Sequence, residues 1–246
     1  MGRFFNREAA LVAGGLLVAG VAIGLLAGLK PWLVAVVTVG LVALLHWPLT
    51  LAFQSWMLEV YTEHGRLQRA LDLALQIRDS ATLRRERHKA YVDVAFVHLA
   101  RGDYEHALQN LSKVIVSSLK PATRAVVEGS TAYALAWLER DLSRADELAQ
   151  RSVAAFPSEP LFGFFLGLVR FKEGRLAEAQ ELVSKSLETE PDPKLPHPGE
   201  RTYVLAQVQS ALGERDAARA SLEKARGARG RFGELAAKEL ASWPSS

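Results

Sequence analysis

The sequence predicts an all-α fold, in which two N-terminal transmembrane helices are followed by an α-solenoid of about five helical hairpins and a C-terminal capping helix. Two long apolar stretches occupy most of the first 51 residues. From Leu51 onward, apolar residues return every three or four positions without sustained alternation, which predicts helices and no sheet. A glycine and an alanine five residues apart also recur at intervals of about 36 to 39 residues, one interval being doubled. Recurring units of this length predict stacked repeats.

The N-terminal segment is predicted to be a membrane anchor. Residues 10–29 carry no charged side chain, and at about 1.5 Å per residue they cover about 30 Å, the thickness of a bilayer core. Lys30 and Pro31 interrupt the apolar run, and residues 32–51 form a second span. Arg3 and Arg7 before the first span would also fit a cleaved signal peptide, but a second apolar stretch after almost no loop favours a transmembrane hairpin.

The distribution of basic residues predicts the orientation of this hairpin. Arg3 and Arg7 precede the first span, Arg66 and Arg69 follow the second, and only Lys30 lies in the turn between them. Basic residues flanking membrane spans are enriched on the cytoplasmic side. Both ends of the hairpin, and the repeats that follow it, are therefore predicted to lie in the cytoplasm.

The anchor is predicted to occupy residues 1–50, and the solenoid with its capping helix residues 51–246. Within the anchor, Gly20, Gly24 and Gly28 place a stripe of small residues on one helix face. Such a stripe lets another helix approach closely in a bilayer. Its partner is either the second span of the same chain or the anchor of a second copy, which would make a homodimer.

The glycine and the alanine of each repeat have different tasks. The glycine ends one helix and opens a tight turn, and the alanine lets the next helix pack closely against the first. Four such pairs occur: Gly65 with Ala70, Gly102 with Ala107, Gly174 with Ala179, and Gly213 with Ala218. A fifth unit keeps the alanine without the glycine, because Arg140 and Asp141 stand in the turn before Ala145.

The segment from Gly102 to Leu108, Gly-Asp-Tyr-Glu-His-Ala-Leu, resembles the turn and second-helix opening of the tetratricopeptide repeat (TPR) family. The repeat of that family is a helix-turn-helix unit of about 34 residues. The unit from about Pro160 is similar to the family pattern as well, with Gly167 at the small position of the first helix and Pro191 at the closing position. Residues 231–243 are predicted to form the single extra helix that caps the stack.

The resemblance implies a binding surface. In TPR proteins the first helices of the hairpins line a concave groove, and the family pattern places these residues on it: Val92, Phe96, Thr131, Leu135, Phe164, Leu168, Tyr203 and Gln207. This apolar and aromatic groove suits an extended peptide or a helix of a protein partner. The alternative for Phe162, Phe164 and Phe165 is that they fill the core between repeats. The proline-rich insert 191–198 is either a spacer or a recognition lip.

The implied function is a scaffold or adaptor that recruits or holds a partner protein at the cytoplasmic face of a membrane. An anchor followed by such repeats is similar to bacterial inner-membrane proteins of the HemY and LapB kind, which implies an integral protein of that membrane. The cysteine-ligated metal module of the LapB kind cannot form here, because the chain has no cysteine. The alternative is an assembly factor or accessory subunit of a membrane enzyme complex, which it contacts through the transmembrane helices.

Composition and motifs argue against other classes of function. The absence of cysteine excludes disulfides and zinc ribbons, and a net charge of +3 lacks the one-sided basic excess of a nucleic-acid-binding protein. No phosphate-binding loop or nucleophile elbow occurs, so no enzyme activity, catalytic residue or cofactor is expected. The six histidines show no acidic partners at metal-ligand spacing, so no metal is expected. His98 is interpreted as a packed or capping side chain.

Overall fold

A computed structural model describes residues 30, 36, 53–54, 56–62, 64–188, 197 and 199–243. The chain divides into two units, Met1–Val60 and Tyr61–Ser246, each of which is described by itself.

In the first unit, residues 53–54 and 56–60 are helical. Apart from Val36, the predicted spans at residues 10–29 and 32–51 lie outside the described residues, and so do Gly20, Gly24 and Gly28. Among the residues that are described, no helix combines the length and the apolar character needed to cross a bilayer. The transmembrane hairpin and its glycine stripe therefore stay predictions.

The described part of the second unit consists of helices and turns, without a β-strand. Its ten α-helices are α1 (Leu67–Ser80), α2 (Arg84–Arg101), α3 (Tyr104–Leu111), α4 (Pro121–Leu138), α5 (Leu142–Ala155), α6 (Pro160–Lys172), α7 (Leu176–Leu187), α8 (Glu200–Ala211), α9 (Arg215–Arg226) and α10 (Arg231–Ala241). A short 3₁₀ helix, Val116–Ser118, precedes α4. The prediction of an all-helical repeat domain is confirmed for this part of the chain.

Consecutive helices form hairpins that stack into a solenoid. α1 is the second helix of the predicted first hairpin, and the second to fifth hairpins pair α2 with α3, α4 with α5, α6 with α7, and α8 with α9. Each second helix also contacts the first helix of the next hairpin, and α10 packs on α9 at the end of the stack. Trp243 follows α10 and packs against the small cluster of Ala206, Leu222, Ala225 and Ala236.

The repeat glycines and alanines have the conformations and the burial that their spacing predicts. The glycines have positive φ angles of 67° at Gly65, 72° at Gly102, 78° at Gly174 and 82° at Gly213. Each repeat alanine is fully buried, with 0% exposure at Ala70, Ala107, Ala145, Ala179 and Ala218. In the unit without a turn glycine, Glu139 and Asp141 adopt φ angles of 51° and 41° instead. The turn therefore keeps its left-handed geometry without a glycine.

Close packing between helices α6 and α7 depends on a missing side chain. A Cβ atom added at Gly167 would lie 2.8 Å from Val183 Cγ2 and 3.1 Å from Leu182 Cβ. Real Cβ atoms do not come that close to a neighbouring methyl group, so α6 reaches α7 only because residue 167 is glycine. At Gly163, one turn earlier on the same helix, an added Cβ would meet nothing within 4 Å.

Candidate protein-binding groove

The first helices of the second to fifth hairpins, α2, α4, α6 and α8, carry the eight residues predicted to line a groove. Four of them are buried and four are half-buried. The buried ones are Val92 at 6%, Leu135 at 8%, and Phe164 and Leu168 at 0% exposure, and the half-buried ones are Phe96, Thr131, Tyr203 and Gln207. Only the half-buried group keeps part of its surface exposed, and Gln207 of this group donates a 2.5 Å hydrogen bond to Glu239 of α10.

The aromatic residues of α6 pack inside the chain. Phe164 lies with its ring centroid 6.5 Å from that of Tyr133 and 6.1 Å from that of Phe165. The guanidinium of Arg201 lies 5.8 Å from the centroid of the Phe164 ring, on the side of helix α8. Phe162 and Phe165 are buried as well, at 3% and 5% exposure. All three rings therefore occupy the core between repeats.

A buried carboxyl group lies among these rings. Glu200, the first residue of α8, is 3% exposed. Its Oε1 accepts a hydrogen bond from Tyr133 Oη at 2.5 Å and another from Trp137 Nε1 at 3.1 Å. Burial raises the pKa of the Glu200 carboxyl to about 7, although the two hydrogen bonds oppose this shift. The group joins the third hairpin to the fifth through the interior.

The C-terminal part of the unit also reaches back to the second hairpin. Arg231, at the start of α10, donates from Nη1 to Tyr104 Oη at 3.3 Å. His197 Nε2 lies 3.0 Å from the carbonyl oxygen of Leu99, and because a carbonyl only accepts, this nitrogen carries the proton and donates. We call these two hydrogen bonds the closing contacts.

Phe232 fills the space between the closing contacts and the third hairpin. Its ring centroid lies 5.8 Å from Trp137, 5.2 Å from His197 and 5.6 Å from Tyr203. Trp137 in turn stacks on Tyr104 at 5.8 Å with an interplanar angle of 6°. The chain's own C-terminal residues therefore cover part of the surface that a partner would use in an open solenoid.

The half-buried members of the predicted groove set are aromatic or polar, and Trp137 of α4 is half-buried as well. Phe96 packs with one side against the core, and Trp137 is half-buried with the Lys172 ammonium 5.5 Å from its ring centroid. Thr131 is occupied by a 2.7 Å hydrogen bond to the Val127 carbonyl. Half-buried aromatic side chains of this kind are suited to an apolar anchor of another protein.

One cluster of polar side chains was not predicted from the sequence. The sequence showed no acidic partners for the histidines at metal-ligand spacing, but the structure places both His98 Nδ1 and His106 Nδ1 against the carboxylate of Asp103, in the turn between α2 and α3. The expectation is therefore wrong for these two histidines. Their positions in the sequence, five and three residues from the aspartate, come together only because Gly102 turns the chain in the left-handed conformation.

Comparisons with known proteins support the architecture. No protein-family model and no curated protein matches the chain. Among solved structures, a tetratricopeptide repeat protein from Parabacteroides merdae ATCC 43184 is similar with a TM-score of 0.56, 17% identity, and coverage of 81% of this chain and 75% of that one. A thermophilic TPR protein from Thermus thermophilus has a TM-score of 0.54, 20% identity, and coverage of 79% and 97%. The chain has the fold of a TPR solenoid.

Proposed function

We propose that this protein is a scaffold that holds a partner protein or peptide on the first helices of its TPR solenoid. The observation that carries the proposal is a set of aromatic side chains that stay half-buried on these helices although Phe232 packs against two of them: Phe96 on α2, Trp137 on α4 and Tyr203 on α8. Partly buried aromatic rings on a rigid scaffold are the residue type that most often anchors a protein partner.

We further propose that residues 1–50 anchor the scaffold in the bacterial inner membrane, with both ends in the cytoplasm. The support for this part is the charge-free run of residues 10–29 and the basic residues outside the hairpin turn. Recruitment to a membrane raises the local concentration of whatever the solenoid binds. The anchor itself contacts the lipid bilayer, and Gly24 in its stripe of glycines is a position where two copies could pair.

Site-specific photo-crosslinking of the full chain in native membranes tests the scaffold function. A photoreactive phenylalanine analogue replaces Phe96 or Tyr203, so that the substituted side chain stays aromatic. Glu147 on α5 and Arg219 on α9 serve as exposed control positions on second helices. We expect one adduct of the same mass from positions 96 and 203, and none of that mass from the two controls.

The outcomes separate the scaffold from the other function. An adduct that forms only at position 147 or 219 would show that partners use the outer helices and would contradict the proposed surface. An adduct that forms only when the photoreactive residue replaces Gly24 would instead favour an accessory subunit that contacts a membrane complex through its spans.

A further inference from the structure

The turn of the second hairpin carries a set of side chains that the turn around Gly174 lacks. His98 lies in the last turn of α2, Asp103 is the N-cap of α3, and His106 lies in the first turn of α3. At the corresponding places around Gly174 the chain has Arg170, Arg175 and Glu178. Gly102 and Gly174 have similar positive φ angles of 72° and 78°, so the two turns have the same backbone conformation. This conformation therefore does not require the two histidines, which are specific to the second hairpin.

The third hairpin shows that capping does not require these histidines. Asp141 is the N-cap of α5, and its Oδ1 accepts from Arg144 N at 3.3 Å. Asp103 caps α3 in the same way, and its Oδ1 accepts from His106 N at 3.3 Å. The aspartate alone therefore supplies the cap. Packing accounts for the buried His98, but neither packing nor capping accounts for the exposed imidazole of His106 beside the same carboxylate.

The imidazole nitrogens converge on the carboxylate. His106 Nδ1 lies 2.8 Å from Asp103 Oδ1 and 2.9 Å from Oδ2, and His98 Nδ1 lies 3.1 Å from Oδ2. The two imidazole rings stack with centroids 5.2 Å apart and an interplanar angle of 21°. One ligand atom from each of the three residues lies within 4.8 Å of the others.

These separations are close to those of a metal site. Zinc binds imidazole nitrogen and carboxylate oxygen at about 2.0 to 2.2 Å with tetrahedral angles, which sets neighbouring ligand atoms about 3.4 Å apart. The two nitrogen–oxygen pairs, at 2.8 and 3.1 Å, would need to separate by a few tenths of an ångström, and the two imidazole nitrogens, which lie within 4.8 Å of each other, would need to be held about 3.4 Å apart. Two imidazoles and one carboxylate are a donor set for zinc and the other late divalent transition metals, not for calcium or magnesium.

We propose that His98, Asp103 and His106 form a binding site for one divalent transition-metal ion, with zinc as its representative. The three residues come from the end of α2, the turn and the start of α3, so the ion joins the two helices of the second hairpin. His98 has 11% side-chain exposure and His106 has 59%, so one ligand is held rigidly and the other faces solvent. Three protein ligands leave the fourth tetrahedral position to water.

Equilibrium dialysis of the purified full chain against Zn²⁺ tests the proposal. We compare the wild-type chain with His106→Ala and with His64→Ala, which removes another exposed histidine in a different turn. We expect one zinc ion per chain in the wild type and in His64→Ala, and at least tenfold weaker binding in His106→Ala. Mutating a group that only hydrogen-bonds to a metal ligand already lowers metal affinity about 10- to 100-fold, and loss of the ligand itself should lower it at least as much.

A second variant separates metal binding from capping. Asp103→Asn keeps an N-cap side chain of nearly equal quality but removes the anionic ligand. We expect Asp103→Asn to melt close to the wild type without metal and to lose the rise in melting temperature that zinc produces in the wild type. With Co²⁺ in place of Zn²⁺, the visible absorption bands of a tetrahedral site should appear in the wild type and not in His106→Ala.

Three results would overturn the site. They are the absence of saturable Zn²⁺ binding in the wild type, unchanged binding in His106→Ala, and equal weakening in His64→Ala and His106→Ala. The first would leave Asp103 with a capping role only. The second would place the ion on other residues, and the third would show unspecific binding to surface histidines.

Discussion

The phenol of Tyr133 donates a 2.5 Å hydrogen bond to the carboxyl group of Glu200, across 67 residues of chain. Burial, and then the charge of the Glu200 carboxyl, raise the pKa of Tyr133 well above its usual value, so its hydroxyl keeps its proton and remains a donor. Glu200 accepts from Trp137 as well. The link between the third and fifth hairpins therefore depends on one interior carboxyl group, which is sensitive to pH.

We predict that the contribution of Glu200 to the stability of the solenoid falls as the pH rises from about 5 to 8, whereas the lowered pKa values of His98 and His197 act in the opposite direction. The pKa of Glu200 is about 7 in the folded chain, whereas an exposed glutamate has an ordinary pKa of 4.5. Between these values the unfolded carboxyl is ionised while the folded one keeps its proton, so the free energy of unfolding falls with rising pH. The loss begins near pH 4.5, is complete above about pH 7, and amounts to about 3 kcal/mol. Urea unfolding at a series of pH values measures it.

The matched control for the pH series is Glu200→Gln. The amide oxygen can still accept from Tyr133 and Trp137, but the side chain no longer titrates. Subtracting the two pH profiles cancels the other ionisable groups. A difference between wild type and variant that stays constant from about pH 5 to 8 would show that Glu200 does not have the raised pKa.

We predict opposite effects of the same substitution at two positions of α6. Gly167→Ala forces a methyl group against Val183 and Leu182, and overpacking of this kind costs about 1 to 3 kcal/mol. Gly163→Ala meets nothing within 4 Å and gains up to about 1 kcal/mol of helix propensity. Since about 1 kcal/mol shifts the melting temperature of a domain this size by about 2 to 4 °C, the two variants should melt several degrees apart. Equal melting temperatures would contradict the close approach of α6 and α7.

We predict that Phe164 and Phe96 differ in what they contribute. Phe164 has 0% exposure, so Phe164→Ala should lower the free energy of unfolding by about 3 to 5 kcal/mol. Phe96 is half-buried, so Phe96→Ala should cost less stability and weaken partner capture by about 2 kcal/mol if its exposed edge is an anchor. Thermal melting and partner affinity are measured on both variants. Unchanged affinity in Phe96→Ala would remove this residue from the binding surface.

We predict the topology of the anchor from reporter fusions. A reporter fused after Ser246 should behave as cytoplasmic, and one inserted at Lys30 as external, because the basic residues flank the hairpin and not its turn. Protease added to intact cells provides the second measurement. Digestion of the repeats by external protease would show that the orientation is opposite to the predicted one. Recovery of the full chain in the soluble fraction would contradict the prediction of a membrane anchor.

The repeats could be predicted from the sequence because their determinants are local. Glycine is favoured at a turn position because of the left-handed φ angle at that residue, and alanine is favoured at a repeat position because of the close approach of the neighbouring helix. Both requirements are local, so Gly102 and Ala107 could be recognised from their spacing. The unit with Arg140 and Asp141 in place of a turn glycine could also be recognised, since Ala145 keeps its position.

The closing contacts and the histidine cluster could not be predicted in the same way. The contact of His197 with Leu99 spans 98 residues, and it depends on the sum of the small rotations between successive hairpins. A sequence pattern within one repeat does not report how these rotations add up over several repeats. His98 and His106 approach Asp103 only once the left-handed turn is built, although their spacing across a turn glycine is a signal that could be searched for.

The closing contacts also change how the repeats should come apart. In an open array each repeat touches only its neighbours, so unfolding can begin at either end and proceed unit by unit. Here Arg231 at the start of the last helix bonds to Tyr104 of the second hairpin, so the end of the array cannot fray without breaking contacts near its beginning. Hydrogen exchange should therefore show α3 and α10 opening together, as one cooperative unit and not as separate ends.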